Sequence, residues 1–126
     1  MMNKGRGSEL ANRTKRFALE VIRLYSRLPK STEAQVIGRQ MLRSGTSVGA
    51  QYREAIRAKW VADFINKLEG ALQELEETQY WFELLNEADI FRDSVVMTSL
   101  MKESDELTAI LVSSVRTAKR GRAVTK

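Results

Sequence analysis

Arginine carries the most legible chemistry in this chain. At about 100° per residue on a helical wheel, Arg39, Arg43, Arg53 and Arg57 share one stripe, opposite Ile37, Met41, Val48 and Ala55, with only Thr46 and Ala50 between them. Arg13, Arg16, Arg23 and Arg27 gather in the same way along one flank of the preceding apolar stripe, interrupted by Glu20. A guanidinium offers a planar fork of donors that matches phosphate oxygens. A ridge of them along a helix predicts contact with a nucleic-acid backbone, with little regard to base sequence. The same stripe also fits a solvated face, or salt bridges to acidic groups of this chain or of a neighbouring copy.

The charge is segregated along the sequence. Residues 1–58 hold twelve Lys or Arg against four Asp or Glu, residues 59–110 hold four against twelve, and the remaining residues carry five cations and no acid. The net charge of +5 therefore understates how polarised the surface is. Such a surface suits a polyanionic partner, RNA or DNA, and it also suits packing of one copy's basic face on another's acidic face.

Other chemistries lack their groups. The chain has no histidine and no cysteine, which removes the usual general base, the usual metal ligands and any disulfide. The acids Asp63, Glu69, Glu74, Glu76, Glu77 and Glu83 bring a carboxylate-bridged metal site to mind. The bundle version of that site needs Glu-x-x-His motifs that cannot be written here, so the acids read as a solvated or partner-facing surface. In the run Ser44-Gly45-Thr46-Ser47-Val48-Gly49 no lysine follows the second glycine and no strand precedes the first, as a phosphate-cradling loop requires. Gly45 and Gly49 instead predict close approach of another helix. A non-enzymatic protein with no cofactor and no metal is expected.

The elements that must position these residues follow from apolar spacing. Leu10, Thr14, Phe17, Val21, Leu24 and Leu28 predict a helix over about residues 9–28, closed by Pro29, with Ser31 and Thr32 offering a cap to the next. Met41, Val48, Tyr52 and Ala55 extend the second helix over about 33–58. Phe64, Leu68, Leu72, Leu75, Phe82 and Leu85 mark a third over 60–86, and Val96, Met97, Leu100, Leu107, Leu111 and Val115 a fourth over 94–119, capped by Asp93 or Ser94. Basic flexible tails are expected at both ends, with Gly121 closing the last helix. Four helices of this length on short connections predict an all-α fold, an antiparallel up-down-up-down four-helix bundle in one domain over 1–126. No apolar stretch approaches the roughly 18 residues of a membrane span, so a soluble cytoplasmic protein with no membrane contact is expected.

The third helix is apolar over more than one stripe. Trp60, Phe64, Ala71, Thr78 and Trp81 widen it beyond what one bundle interior needs, which predicts that these five residues form an interface between copies.

Three spaced motifs carry a likeness. Ser47-Val48-Gly49-Ala50-Gln51-Tyr52-Arg53-Glu54-Ala55, then Asp63-Phe64-x-x-Lys67-Leu68, then Glu77-Thr78-x-Tyr80-Trp81-x-x-Leu84-Leu85 resemble the bacterial four-helix-bundle proteins encoded in intervening sequences of large-subunit ribosomal RNA genes. That resemblance implies a ring-shaped homopentamer. It extends to the accessory protein of diversity-generating retroelements, a basic pentamer that binds nucleic acid and a reverse transcriptase. Gln51 stands where that pattern more often has asparagine, and Trp60 where it has a small residue such as serine. The expectation is an oligomer that binds nucleic acid, RNA before DNA, through its arginine ridges. The alternative is a scaffold whose partner is a protein.

Overall fold

The computed structural model describes residues 4–125, which form four helices: α1 (Lys4–Ser26), α2 (Thr32–Ile56), α3 (Val61–Glu87) and α4 (Ser94–Thr125). No strand occurs among the described residues. Consecutive helices pack side by side, α2 most closely against α3, and α4 closes the square against α1 over the smallest contact. The chain is an antiparallel up-down-up-down four-helix bundle.

Each connection has a local cause. At the end of α1 the Arg27 and Leu28 amides donate to the Leu24 and Tyr25 carbonyls, which tightens the last turn before Pro29. The Ser31 hydroxyl then accepts from the Ala34 N–H at 3.4 Å and caps α2. Gln35 ties the turn down, donating to the Pro29 carbonyl at 2.8 Å while accepting from the Tyr25 hydroxyl at 3.0 Å. α3 stops at Ala88. Asp89 adopts a left-handed φ of 59°, and the Ile90 amide reaches back to the Leu85 carbonyl, an ending that more often uses glycine. Asp93 caps α4 by accepting from the Val96 N–H at 3.2 Å.

Outer helix limits differ from the sequence expectation. α1 begins at Lys4 and α4 runs through Gly121 to Thr125, so the expected tails are helical at 4–8 and 120–125, while 1–3 and 126 lie outside the described residues. Gly7 is buried and faces Ile56, which gives the first turn of α1 a packing partner. Gly121 lies inside α4 rather than at its end.

The core is built from Phe17, Val21, Leu24, Met41, Tyr52, Leu68, Leu75, Phe82, Leu107 and Leu111, all nearly or fully buried. Phe17 of α1 meets Phe82 of α3 edge-on across the diagonal, ring centres 6.3 Å apart. Small residues bring α1 onto α2. A Cβ at Gly45 would lie 2.9 Å from the Val21 methyl groups, and one at Gly49 would lie 3.1 Å from the Thr14 hydroxyl. Between α2 and α3 the Ser44 and Thr78 hydroxyls share a buried hydrogen bond of 2.7 Å, which keeps both satisfied in the apolar interior.

Candidate nucleic-acid interface

Tertiary contacts divide the eight arginines into two groups of four. Arg13 is a clamp. Its Nε and Nη2 each donate to Glu103 of α4 at 2.8 Å, and Nη2 also reaches Glu106 at 2.9 Å. The hydrogen bond to Glu103 is the largest influence raising its pKa above the ordinary arginine value. This fork holds the α1–α4 seam, where the two helices touch least.

Arg27 sits 3.0 Å from the Asp93 carboxylate and 5.1 Å from the centre of the Phe91 ring. Asp93 in turn is held below the usual carboxylate range, first by the Val96 amide and then by Arg27. Arg23 pairs with Glu20 one turn earlier. Arg43 reaches Glu74 at 3.2 Å and Glu77 at 2.6 Å on α3. The reason is angular: Arg43 stands about 40° round the helix from Arg39, on the side that faces α3. Arg13, Arg23, Arg27 and Arg43 thus each have a carboxylate partner within the chain.

The other four are placed differently. Arg39, Arg53 and Arg57 are exposed on α2 and have no carboxylate partner among the described residues. From Arg39 to Arg57 the row spans about 27 Å of helix. Arg16 is exposed on α1 and lines a groove of about 550 Å³ between α1 and α4 with Phe17, Val95 and Lys102 and with the acids Glu20, Glu103 and Glu106, but it has no ion pair among the described residues.

The acids are used mainly to join helices. Besides the pairs above, Glu54 binds Lys67 at 2.8 Å and Glu69 binds Lys119 at 3.2 Å. No group of three or more Asp or Glu side chains suited to a metal ion occurs among the described residues. No helix among them is long and apolar enough to cross a membrane.

The expected interface residues separate as well. Phe64, Ala71 and Thr78 are buried within the bundle itself, at 3%, 0% and 0% exposure. The breadth of the α3 apolar surface has an internal cause: α3 packs on α2 along one side and on α4 along the other, and it meets α1 across the diagonal. Trp81 is half-buried with its ring N–H shielded from solvent and without an acceptor, while Trp60 is 70% exposed. Val36, Tyr80 and Val95, which the spacing did not single out, are exposed apolar side chains. Tyr80 leans on Trp81 with ring centres 5.1 Å apart. The signal available for Val36 was its position one residue off the stripe of Ile37 and Met41.

Comparison with known proteins places this arrangement. No curated protein matches the chain. A solved structure from Bacteroides thetaiotaomicron, a protein of unknown function from the S23 ribosomal protein family, is 37% identical, covering 87% of this chain and 97% of that one with a TM-score of 0.80. The model of the 23S rRNA-intervening sequence proteins matches residues 6–113. With that match running from the first turns of α1 deep into α4, the chain belongs to the 23S rRNA-intervening sequence protein family.

Proposed function

We propose that this protein is a non-enzymatic, cytoplasmic binder of nucleic acid, RNA in preference to DNA, that works as an assembly of copies. One observation carries the reading. Arg39, Arg53 and Arg57 stand exposed along one face of α2 with no carboxylate partner among the described residues, although the chain supplies acids to five of its other arginines. Cations held in a row on a rigid helix suit a regular line of phosphates. Arg16 on α1 supplies a further cation.

The test is a titration of structured RNA and of duplex DNA across salt concentrations. Binding should be tight at low salt and fall steeply as salt rises. Replacing Arg39, Arg53 and Arg57 together by glutamine should lower the slope of log affinity against log salt by about 2 to 3, one increment per lost phosphate contact. Absence of binding at low salt, or an unchanged slope, ends this reading.

Assembly is supported by the exposed Val36, Tyr80 and half-buried Trp81. A ring of five is the form the family likeness implies. Light scattering that gave a monomer at micromolar concentration would contradict it.

The second reading, a scaffold for a protein partner, is favoured by the same apolar surface. Capture that survives nuclease treatment and persists in the triple arginine variant would select it.

A further inference from the structure

Of the three helix starts whose caps are described, two have a side-chain cap and one does not. α2 is capped by the Ser31 hydroxyl and α4 by the Asp93 carboxylate. α3 has Trp60 at that position, in an extended backbone (φ −117°, ψ 144°), and its side chain makes no capping bond. Tryptophan gives no capping acceptor there, so the choice leaves the first amides of α3 without a side-chain acceptor. It also leaves a large apolar ring in water: Trp60 is 70% exposed, with no aromatic or cation stacked on it among the described residues. A residue that breaks a local rule without a packing gain marks a site of function.

Its surroundings say what kind. Trp60 follows directly on the exposed row of α2: Arg57 is the C-cap of that helix and Lys59 is the adjacent residue. From residue 53 to residue 67 the chain carries four cations and two acids. One of the acids, Glu54, is already held by Lys67, and the other is the exposed Asp63 in the first turn of α3. Protein–protein interfaces also favour tryptophan and arginine but are depleted in lysine and acids, and here Lys59 adjoins the ring with Asp63 in the next turn. An exposed aromatic ring beside unpaired arginines is the arrangement that holds unstacked bases while cations hold the backbone. The uncapped, electropositive start of α3 adds to the same attraction for phosphate.

We propose that Trp60 is a stacking platform for an unpaired nucleobase at the end of the α2 arginine row. This rests on the nucleic-acid reading above and sharpens it: the ligand is a helix that ends in, or is interrupted by, single-stranded nucleotides. The row Arg39, Arg53 and Arg57 takes the phosphates of the paired part, and Trp60 takes the first splayed base.

The test compares a blunt RNA duplex with the same duplex carrying a single-stranded adenosine overhang, titrated against the full chain while tryptophan emission is followed. Wild-type protein should bind the overhang probe roughly five- to hundredfold more tightly than the blunt one, with emission quenched by the overhang probe alone. Trp60→Ser should erase both the preference and the quenching while leaving affinity for the blunt duplex unchanged. Because serine supplies a cap for α3, this variant should melt no lower than wild type, so a loss cannot be assigned to unfolding. Trp60→Phe should keep part of the preference. Equal wild-type affinity for the two probes overturns the platform and leaves the phosphate contacts standing. Failure to bind either probe at low salt removes both. If Trp60→Ser dissociates an assembly by light scattering and leaves the overhang preference intact, Trp60 is a subunit contact and the platform is overturned.

Discussion

The two ends of the bundle are assembled from short turns, yet they use side chains in opposite ways. At the end where α1 meets α2 and α3 meets α4, a set of polar side chains is joined within the chain. Ser31 and Asp93 cap helices, Gln35 bridges Tyr25 to Pro29, Arg92 pairs with Asp89, and Arg27 rests between Asp93 and Phe91. At the α2–α3 end, Arg53, Arg57 and Lys59 stand without carboxylates among the described residues, α3 starts uncapped and Trp60 is bare. Arg116 and Arg120, exposed near the end of α4, lie at this same end because α4 runs antiparallel to α3. The first end joins its polar side chains to one another; the second leaves its cations and an aromatic ring exposed.

Neutralising the unpaired arginines of α2 and the paired arginines of the closed end in turn is the most severe test of that contrast. Arg39, Arg53 and Arg57 replaced by glutamine should cost at least tenfold in affinity for nucleic acid at physiological salt and shift stability by no more than about 0.5 kcal/mol. The matched pair Arg27→Gln with Arg92→Gln should do the reverse, leaving affinity unchanged while the melting temperature falls. Equal effects of both sets on binding would mean that only net charge matters and that the ends are not distinct.

Arg13 sharpens the comparison from the side of the bundle. Its fork to Glu103 and Glu106 is partly exposed, at 23% for the arginine side chain, so solvent screening reduces its worth. Arg13→Ala should destabilise the fold by about 1–2 kcal/mol, read by urea denaturation, with nucleic-acid affinity unaffected. Loss of affinity at unchanged stability would return Arg13 to the group of phosphate contacts.

Acid distinguishes the closed end. Asp93 has its folded pKa depressed below the ordinary carboxylate value of 3.8, so its stabilising contribution is fully present above that value and is lost as pH falls through the lower folded pKa. Asp93→Asn removes the charge that Arg27 binds and should flatten this part of the acid-denaturation curve. An unchanged curve would mean that the Arg27–Asp93 contact contributes nothing in solution.

The smallest effect belongs to the open end. Trp60→Ser should raise stability by about 0.5–1 kcal/mol through the cap it supplies, measured by thermal or urea unfolding. A decrease would show that the indole makes stabilising contacts in the folded protein.

Much of this architecture was readable from spacing. Phe17, Met41, Phe82 and Leu107 repeat at helical intervals, and Pro29, Ser31 and Asp93 punctuate them, so the four helices and their inner faces follow from local geometry and the burial of apolar stripes. The outer limits were less legible, because glycine and basic residues at 4–8 and 120–125 read as breakers. Gly7 has a partner in Ile56, which spacing does not reveal. The wide stripe of α3 is ambiguous for a related reason. Phe64, Ala71 and Thr78 face neighbours in the same bundle, and a wheel drawn for one helix cannot tell a second helix of the same chain from a second chain.

The sequence by itself determined the fold class, the absence of thiol and imidazole chemistry, and the concentration of arginine on two helices, since composition and periodicity are properties of the chain alone. Only the tertiary structure decided which arginines remain available. Arg13 and Glu103 are ninety residues apart in sequence and 2.8 Å apart in the bundle, and Arg43 is taken by Glu74 and Glu77 because α3 happens to lie on that side of α2. An ion pair depends on what stands opposite, and helix packing alone sets that.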